Sequence, residues 1–315
     1  MFRNFVLGAG VNGLILGHLL QLPVIGQLQG QSHNSFPLGP RILHYGEDSA
    51  RLINKLNIRK KPRSFKVGHY EGDLSSGNFV NPEQSWRESY ALKTRGIKDF
   101  ASAASAGKSE IVGWDIEDIQ LVKKLREKVW EVRAKITKID VPERVLYFEN
   151  NDRSVSGALP YDELFNTIDL REFYKITGRF EEARALKIKD VRFVLANSVD
   201  LEKLLGTFDY VYFASEDVPF SRITRLHRYI FVIEIPEQNI SKNLWGEEGV
   251  EIRVLGSRIM ISQIIPRDYS VNNLLLKNED KVHMVGRYAR WDHSLLINNT
   301  IKEGMAYAED MCGRY

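Results

Sequence analysis

A glycine-rich segment at the start of the chain constrains the fold more than any other sequence feature. Residues 5–7 (FVL) form a short apolar run typical of a buried strand, and residues 8–13 (GAGVNG) follow without a spacer. Residues 14–20 (LILGHLL) have the character of a buried helix that ends before Pro23. Residues 24–28 are a second strand candidate, so the first segment of the chain predicts a βαβ unit.

The spacing of the three glycines fits the binding of a dinucleotide. In a strand–turn–helix unit Gly8 makes the tight turn, Gly10 lets the backbone approach a pyrophosphate, and Gly13 allows the helix to pack on the strand. The helix would begin at Val11 and Asn12, where amide groups and a partial positive charge face the phosphates. The motif therefore predicts a nucleotide cofactor, and the alternative is a purely structural glycine turn.

The acidic residue that commonly binds the ribose in such units is missing. It is expected about 20 positions after the motif, but residues 24–29 (VIGQLQ) contain glutamines instead. Gln29 can hydrogen-bond the ribose hydroxyls, although a neutral amide binds them more weakly than a carboxylate. This difference weakens the case for NAD more than the case for a nucleotide, and Gln29 is predicted to contact the cofactor.

The composition excludes several other classes of protein. The chain has 315 residues, of which 43% are apolar, a formal net charge of +3 and one cysteine, Cys312. These values describe a globular protein of one or two domains without an internal disulfide or a four-thiolate zinc site. The apolar N-terminal stretch is interrupted by Asn12 and His18, and no HExxH motif occurs. We therefore expect a cytoplasmic protein without a membrane span or a metal site.

The hydrophobic pattern predicts further elements along the chain. Helices are predicted over residues 49–58, 115–129 and 300–311, and a β-hairpin over residues 132–148. Residues 69–113 are expected to form loops and short elements. Strands are predicted over residues 161–167, 192–196, 208–214, 229–235, 252–255, 259–264 and 282–285. Strands and helices alternate near both ends while the middle is rich in strands, which indicates an α/β domain interrupted by a mixed one.

A basic run covers residues 51–66, which carry seven positive side chains and no acid. The favoured interpretation is a solvated helix face followed by a loop. The alternative is a surface that faces a phosphate-bearing substrate or a nucleic acid. The net charge of +3 gives this alternative little support.

Four further segments resemble a superfamily of flavoproteins. Residues 39–45 (GPRILHY) resemble a segment of the UDP-galactopyranose mutases. Residues 161–170 (YDELFNTIDL) and 208–222 (FDYVYFASEDVPFSR) are similar to segments of the protoporphyrinogen oxidases and amine oxidases. Residues 285–304 (VGRYARWDHSLLINNTIKEG) resemble the terminal FAD motif of these enzymes. The segments occur in the order of the family and span the chain.

The resemblance implies an α/β fold with a Rossmann-like FAD-binding domain of the GR2 type and an inserted mixed α+β substrate cap. The discontinuous FAD-binding domain is expected to comprise residues 1–66, 110–170 and 280–315. Residues 67–109 and 171–279 are expected to form the cap. Because the chain is compact, the cap is expected to be small and the site open.

The same resemblance assigns the contacts to FAD. The glycine motif would hold the pyrophosphate, and Gly286 with Arg287 would form a second contact that brings a cation close to the phosphates. The backbone around Leu295, Leu296 and Ile297 would begin the helix that faces the pyrimidine edge of the flavin. The N-terminus of that helix would stabilise the anionic reduced flavin.

Two residues are implied as catalytic. Arg41 and His44 fall where the family places groups that line the flavin, and Arg41 replaces the first histidine of the mutase motif. For His44 the alternative is a buried core histidine. Arg222 would be a clamp for a carboxylate or phosphate, and the alternative is an ion pair with Asp217 or another acid. His44 and Arg222 are the predicted catalytic residues, and Arg41 is a predicted cofactor contact.

The function that the resemblance implies is that of an FAD-dependent oxidoreductase. It would oxidise a C–N bond of an amine or amino-acid-like substrate by hydride transfer to the flavin. Three alternatives stay open: a sugar-nucleotide mutase of the UDP-galactopyranose type, a flavoenzyme that acts on an amino-acid-modified thymine base in phage-type DNA, and a protein in which FAD is only structural. The implied partner is a small-molecule or base-linked amine, with nucleic acid only in the second alternative.

Overall fold

The computed structural model describes residues 3–26, 41–96, 107–150, 155–240, 250–264, 281–292 and 294–313. The elements in chain order are β1 (Asn4–Leu7), α1 (Val11–Leu20), β2 (Val24–Gly26), β3 (Ile42–His44), α2 (Glu47–Lys55), β4 (Arg63–Glu71), β5 (Asn78–Phe79), α3 (Gln84–Arg95), β6 (Glu110–Asp115), α4 (Leu121–Arg126), β7 (Glu131–Asp140), β8 (Val145–Asn150), β9 (Ser156–Pro160), β10 (Glu163–Asn166), α5 (Leu170–Ile176), α6 (Phe180–Ala185), β11 (Ile188–Asn197), α7 (Val199–Leu205), β12 (Tyr210–Phe213), β13 (Arg222–His227), β14 (Ile230–Pro236), β15 (Arg253–Ile264), β16 (Val282–Met284), α8 (Arg287–Arg290) and α9 (Ile297–Gly313). A 3₁₀ turn lies at Glu237–Asn239.

The chain divides into two compact units. The first unit comprises Met1–Lys61, Trp114–Lys187 and Pro266–Tyr315, and the second comprises Pro62–Gly113 and Ile188–Ile265. Helices α5 and α6 therefore belong to the first unit, whereas the boundary drawn from the sequence placed residues 171–187 in the cap.

The first unit is built on a seven-stranded sheet of order β16-β10-β1-β2-β7-β8-β9. The five strands from β16 to β7 are parallel, and β8 is antiparallel to both of its neighbours, β7 and β9. Because β1 leads through α1 to β2 on one side while β10 lies on its other side, the strand order reverses at β1. Ligands of open α/β sheets bind at the carboxyl ends of the strands at such a point. The predicted α/β, Rossmann-like fold is confirmed.

Helix α1 is apolar on all sides because it is buried on all sides. Leu16 and Leu20 pack in one cluster with Val6 of the sheet. Leu14 and Ile15 pack in another cluster with the apolar faces of α2, α4 and α9. Across the described ranges no helix is both long and apolar enough to cross a membrane.

The second unit contains a sheet with strands in the order β15-β11-β14-β13-β12-β4-β6, and β5 pairs with β4. Strands β4 and β12 are parallel, and the other pairs are antiparallel. An apolar cluster of strand residues and α7 is fully buried and includes Val194, Leu201, Leu205, Val211, Phe213, Ile223, Phe231 and Ile233.

The helix predicted over residues 115–129 is wrong for its first half. The carboxylate Oδ1 of Asp115 accepts hydrogen bonds from the backbone N–H groups of Glu117 (3.0 Å) and Asp118 (3.3 Å). Gln120 then adopts a left-handed φ of 50°, and helix α4 begins at the next residue. The side-chain hydrogen bonds offer the backbone a turn in place of a helix. The apolar residues of the turn and of α4 nevertheless enter the same core cluster, which explains their helix-like spacing.

The prediction of loops and short elements over residues 69–113 missed one long element, because this region contains the 12-residue helix α3 beside the end of β4, β5 and the start of β6. Its periodicity is weak because the buried side of α3 carries polar groups. Lys93 is fully buried, and its ammonium donates hydrogen bonds to the carbonyl groups of Ser215 and Val218. The two strands predicted over residues 252–255 and 259–264 form one strand, β15.

We expect His18, in the last turn of α1, to make stability depend on pH. Burial lowers the pKa of His18 below its ordinary 6.5, and the charges of Lys55 and Lys128 lower it further. Neither ring nitrogen has a hydrogen-bond partner among the described residues. Between the lowered folded-state pKa and 6.5 the unfolded chain binds more protons than the folded protein. The free energy of unfolding should therefore fall as the pH decreases below 6.5 and level off below the folded-state pKa.

Urea denaturation of wild type and His18→Leu between pH 5 and 8 would measure this effect, since the difference between the two proteins isolates the histidine. An unchanged difference across this range would contradict the prediction.

Candidate functional site

The glycine turn between β1 and α1 requires glycine at two positions. Gly8 has a φ of +100°, a backbone conformation that residues other than glycine rarely adopt. A Cβ on Gly8 would lie 2.6 Å from Oγ1 of Thr167, and a Cβ on Gly13 would lie 1.7 Å from the carbonyl oxygen of Gly8. The first and third glycines therefore close a tight turn against β1 and the residue after β10.

The middle glycine has a different environment. A Cβ on Gly10 would meet no atom within 4 Å, so the surface above this residue is open. Gly10 precedes α1, and no side-chain cap or acidic residue occupies the first turn of the helix. The first amide groups of a helix have no acceptor inside it, and they attract anions. The turn thus fits the pyrophosphate of a dinucleotide.

Three loops meet at this edge of the sheet. Leu7 of β1 pairs with Asn166 of β10, which pairs with Met284 of β16, so the residues that follow each strand lie together. Gly286 has a φ of +86°, and a Cβ there would lie 2.5 Å from Nδ2 of Asn12. The structure therefore brings the predicted residues Asn12 and Gly286 into contact. Oδ1 of Asn12 is buried without a hydrogen-bond partner among the described residues.

Arg287 connects two of the predicted cofactor segments. Its Nε donates a hydrogen bond to the carbonyl of Leu295 at 3.0 Å. The N–H of Leu296 donates to Oδ1 of Asn299 at 2.8 Å, and α9 begins at Ile297. Arg287 therefore shapes the turn that leads into α9, a role that was not predicted from its position in the chain.

His44 ends β3, and its backbone fixes it to the start of α9. The carbonyl of His44 accepts hydrogen bonds from Oγ of Ser49 (2.8 Å) and from Nδ2 of Asn298 (2.7 Å). The half-buried side chain of His44 thus belongs to a residue held beside the segment at Leu295–Ile297. This position depends on Asn298, which the sequence did not single out.

Arg41 is held in an ion pair. Its Nη2 lies 3.3 Å from Oδ2 of Asp115, and both side chains are largely buried. The N–H of Ile116 also donates to the carbonyl of Arg41. The resemblance implied that Arg41 lies at the flavin, whereas its ion-pair partner Asp115, 74 positions away in the chain, was not predicted.

Arg222 is also held in an ion pair, as the alternative interpretation expected, but its partner is Glu234. Nε and Nη2 of Arg222 both donate to Oε1 of Glu234, the former at 2.9 Å. Burial lowers the pKa of Arg222, but the charge of Glu234 and the phenols of Tyr212 and Tyr90 together raise it well above its ordinary value. Arg222 is therefore a permanent cation. Asp217 instead accepts a hydrogen bond from the hydroxyl of a neighbouring serine.

Aromatic side chains surround this ion pair. The guanidinium of Arg222 lies 5.7 Å from the ring centre of Tyr212, which meets Tyr90 edge-on at 5.4 Å. His69 lies on the other side of Tyr212, on the neighbouring strand β4. Its imidazole stacks on the Tyr212 ring, with the ring centres 6.1 Å apart. This cluster was not predicted from the sequence. One signal was available, because Glu234 is the single acid in the otherwise apolar run of residues 230–236 (IFVIEIP).

The basic run is partly neutralised by acids. Its ion pairs are Arg51 with Glu47, Lys60 with Asp118, and Arg63 with Asp209. This pattern is typical of a solvated surface, which was the favoured interpretation.

Part of the predicted site lies outside the described residues. This applies to Gln29 and to the first two residues of the segment GPRILHY. Within the described part of the chain, no group of three or more His, Cys, Asp or Glu side chains is arranged to hold a metal ion.

No protein-family model and no curated protein sequence matches the chain. Solved structures do match it. All of this chain is similar to 94% of a reduced UDP-galactopyranose mutase, with a TM-score of 0.70 and 12% identity. All of it is also similar to 99% of a putrescine oxidase triple mutant with redesigned cofactor binding (TM-score 0.59, 9% identity).

A triple mutant of a flavin-dependent brominase is also similar, with a TM-score of 0.56 and 12% identity. The similarity covers 98% of this chain and 79% of the brominase chain. At these identities the likeness concerns the fold. The chain shares the fold of UDP-galactopyranose mutase and putrescine oxidase, the fold that its sequence motifs predicted.

Proposed function

We propose that the chain binds FAD at the Gly8–Gly13 turn and acts as an FAD-dependent oxidoreductase. The observation that carries this proposal is the open, uncapped N-terminus of α1 above Gly10, at the point where the strand order of the parallel sheet reverses. The contact between Asn12 and Gly286 supports it, because it joins two predicted cofactor loops. The shared fold with a flavin-dependent brominase agrees with a flavin cofactor.

The proposed reaction is oxidation of a C–N bond in an amine or amino-acid-like substrate. Bound FAD would supply a two-electron acceptor. The substrate carbon next to nitrogen loses a hydride, the nitrogen loses a proton, and an imine results. The N-terminus of α9, held by Arg287 and Asn298, would stabilise negative charge that develops nearby. The similarity to putrescine oxidase supports this class of substrate.

The second candidate is a sugar-nucleotide mutase, which the similarity to UDP-galactopyranose mutase favours. Such an enzyme needs cations to hold a diphosphate. Arg222, the predicted clamp for a carboxylate or phosphate, is neutralised by Glu234, and Arg41 is neutralised by Asp115. We therefore rank the oxidoreductase first.

The test is a spectroscopic one on the purified protein. We expect the protein to carry FAD, or to take it up, and to show flavin absorbance. Under anaerobic conditions an amine, an amino acid or an amino-acid-bearing DNA should bleach this absorbance within seconds to minutes. Failure to take up FAD would refute the cofactor proposal.

If the protein binds FAD but none of these compounds reduces it, one of two other functions is favoured, a mutase or a structural role for FAD. Turnover of UDP-galactopyranose only after reduction with dithionite would establish the mutase. The absence of both activities would point to a structural role for FAD.

A further inference from the structure

We propose that Tyr45 and the cations of residues 59–61 form a binding surface for single-stranded nucleic acid. An exposed aromatic ring offers a platform for one unstacked base, and cations beside it offer contacts to the phosphates of the strand. The inference goes beyond the proposed function and does not depend on it, because this surface uses none of the residues assigned to FAD.

Tyr45 presents its ring to solvent on a rigid support. It directly follows β3, and 57% of the residue is exposed. The ring lies against the indole of Trp114, with the ring centres 5.6 Å apart and the planes tilted by 41°. Trp114 is only 4% exposed and packs in the core cluster with residues of α2, α4 and α9. The tyrosine ring is therefore held by the core, while more than half of the residue is available to a ligand.

The same indole connects the ring to three consecutive cations. Nε1 of Trp114 donates a hydrogen bond to the carbonyl of Lys60 at 2.8 Å, so the backbone of Lys60 and the ring of Tyr45 both contact one side chain. Arg59 and Lys61, the neighbours of Lys60 in the chain, are exposed. Among the described residues no acid pairs with either of them, so two cations near the ring are available to anions.

The acids beside this surface neutralise it only in part. In the turn at residues 115–118, Asp115 pairs with Arg41, and Asp118 pairs with Lys60 at 3.2 Å. Both side chains of the pair at Lys60 are more than half exposed. Such a pair contributes little to stability, so a phosphate can replace the carboxylate at low cost. Glu117 is then the one acid of the turn that opposes the two unpaired cations within the described part of the chain.

The combination of a ring and cations favours a single strand over other anionic partners. In a duplex the bases are stacked on one another, whereas a single strand exposes base faces on which an aromatic side chain can stack. An acidic peptide would satisfy the cations without using the ring. Arg59 and Lys61 are two residues apart, so they suit neighbouring phosphates of a strand better than the one phosphate group of a mononucleotide.

The competing explanation is that Tyr45 only shields Trp114 and that the cations only hydrate the surface. Two ring variants separate these explanations. Tyr45→Ala removes the stacking surface, and Tyr45→Phe keeps it and serves as the matched control. Because Tyr45→Ala also uncovers Trp114, the melting temperature of each variant is measured alongside its affinity.

Two charge variants test the contacts to phosphate. Arg59→Ala combined with Lys61→Ala removes both unpaired cations, and these residues are exposed. The control is Lys175→Ala combined with Lys187→Ala, which removes two exposed cations on and after helices α5 and α6. Each double variant lowers the net charge by the same amount, so a difference between them reports on position rather than on total charge.

The experiment measures the binding of a fluorescent strand of about 15 thymidines to the purified protein, beside a duplex that contains the same strand. We expect the single strand to bind more tightly than the duplex. Tyr45→Ala should weaken binding by at least about tenfold, and Tyr45→Phe should stay within about twofold of the wild type. In a salt series, the logarithmic slope should become shallower by roughly 1.4 when both Arg59 and Lys61 are lost. The control pair should leave this slope unchanged.

Several results would overturn the inference. The first is a wild type that does not bind the strand at about 50 mM salt, and the second is a duplex that binds as tightly as the strand. The third is wild-type affinity in folded Tyr45→Ala. If that variant loses stability, the double variant of Arg59 and Lys61 decides, and an unchanged salt slope contradicts the proposal. None of these results bears on FAD, whose uptake is followed separately by flavin absorbance.

Discussion

Alanine in place of Gly10 is expected to weaken FAD binding by about a hundredfold, roughly 2.8 kcal/mol, while the apoprotein stays folded. The new methyl group would meet no protein atom within 4 Å, and the φ of −78° at Gly10 suits alanine. The methyl would, however, occupy the open surface that the proposed pyrophosphate needs for close approach to the backbone. Exchange of glycine for alanine at this position before a helix costs about 1 kcal/mol at most.

Titration of the apoprotein with FAD, followed by flavin fluorescence, would measure the affinity, and thermal denaturation would measure the fold. Gly13→Ala serves as the contrasting variant. Its Cβ would lie 1.7 Å from the carbonyl oxygen of Gly8, so this protein should lose stability as well as FAD. Wild-type affinity in folded Gly10→Ala would show that the cofactor does not use this turn.

Leucine in place of Arg222 is expected to destabilise the protein by about 3–5 kcal/mol. The substitution leaves the carboxylate of Glu234 buried without its cation, and only 9% of that side chain is exposed. Removing one partner of a buried pair is more costly than removing both, because the remaining charge keeps its full desolvation penalty. Urea denaturation of the wild type and the variant would measure the difference in the free energy of unfolding.

The matched control is an exposed ion pair in the same protein. Arg184 lies 2.7 Å from Glu181, and both side chains are more than three-quarters exposed. Arg184→Leu should change the free energy of unfolding by less than about 1 kcal/mol. Equal effects of the two substitutions would mean that Arg222 and Glu234 are not desolvated as the structure indicates. The double variant Arg222→Met with Glu234→Leu should recover most of the lost stability.

The elements that the sequence predicted correctly are those whose signals are local. The β1–α1–β2 unit follows from three glycines between an apolar run and a proline-terminated helix. The hairpin of β7 and β8 follows from alternation around a turn at residues 141–144. Each pattern lies within a few neighbouring residues, so backbone preference and burial act in the same direction.

The failures occurred where distant contacts override the local pattern. Helix α3 was missed because Lys93, a charged residue, is buried and satisfied by carbonyl groups more than 120 positions away. The helix predicted over residues 115–129 begins late because Asp115 bonds to the backbone after it. In both cases a polar side chain has its hydrogen bonds satisfied by backbone groups, and the spacing of hydrophobic residues does not reveal such bonds.

The sequence by itself determined the glycine turn and the parallel βαβ start of the α/β fold, since both depend on residue types at fixed short spacings. Only the tertiary structure decided which cations are already neutralised. The sequence predicted that Arg41 contacts the cofactor and that Arg222 clamps a substrate anion, yet Asp115 and Glu234 pair with them through space. Electrostatic energy depends on distance and burial rather than on separation along the chain, so the partner of a buried charge becomes known only when the strands are in place.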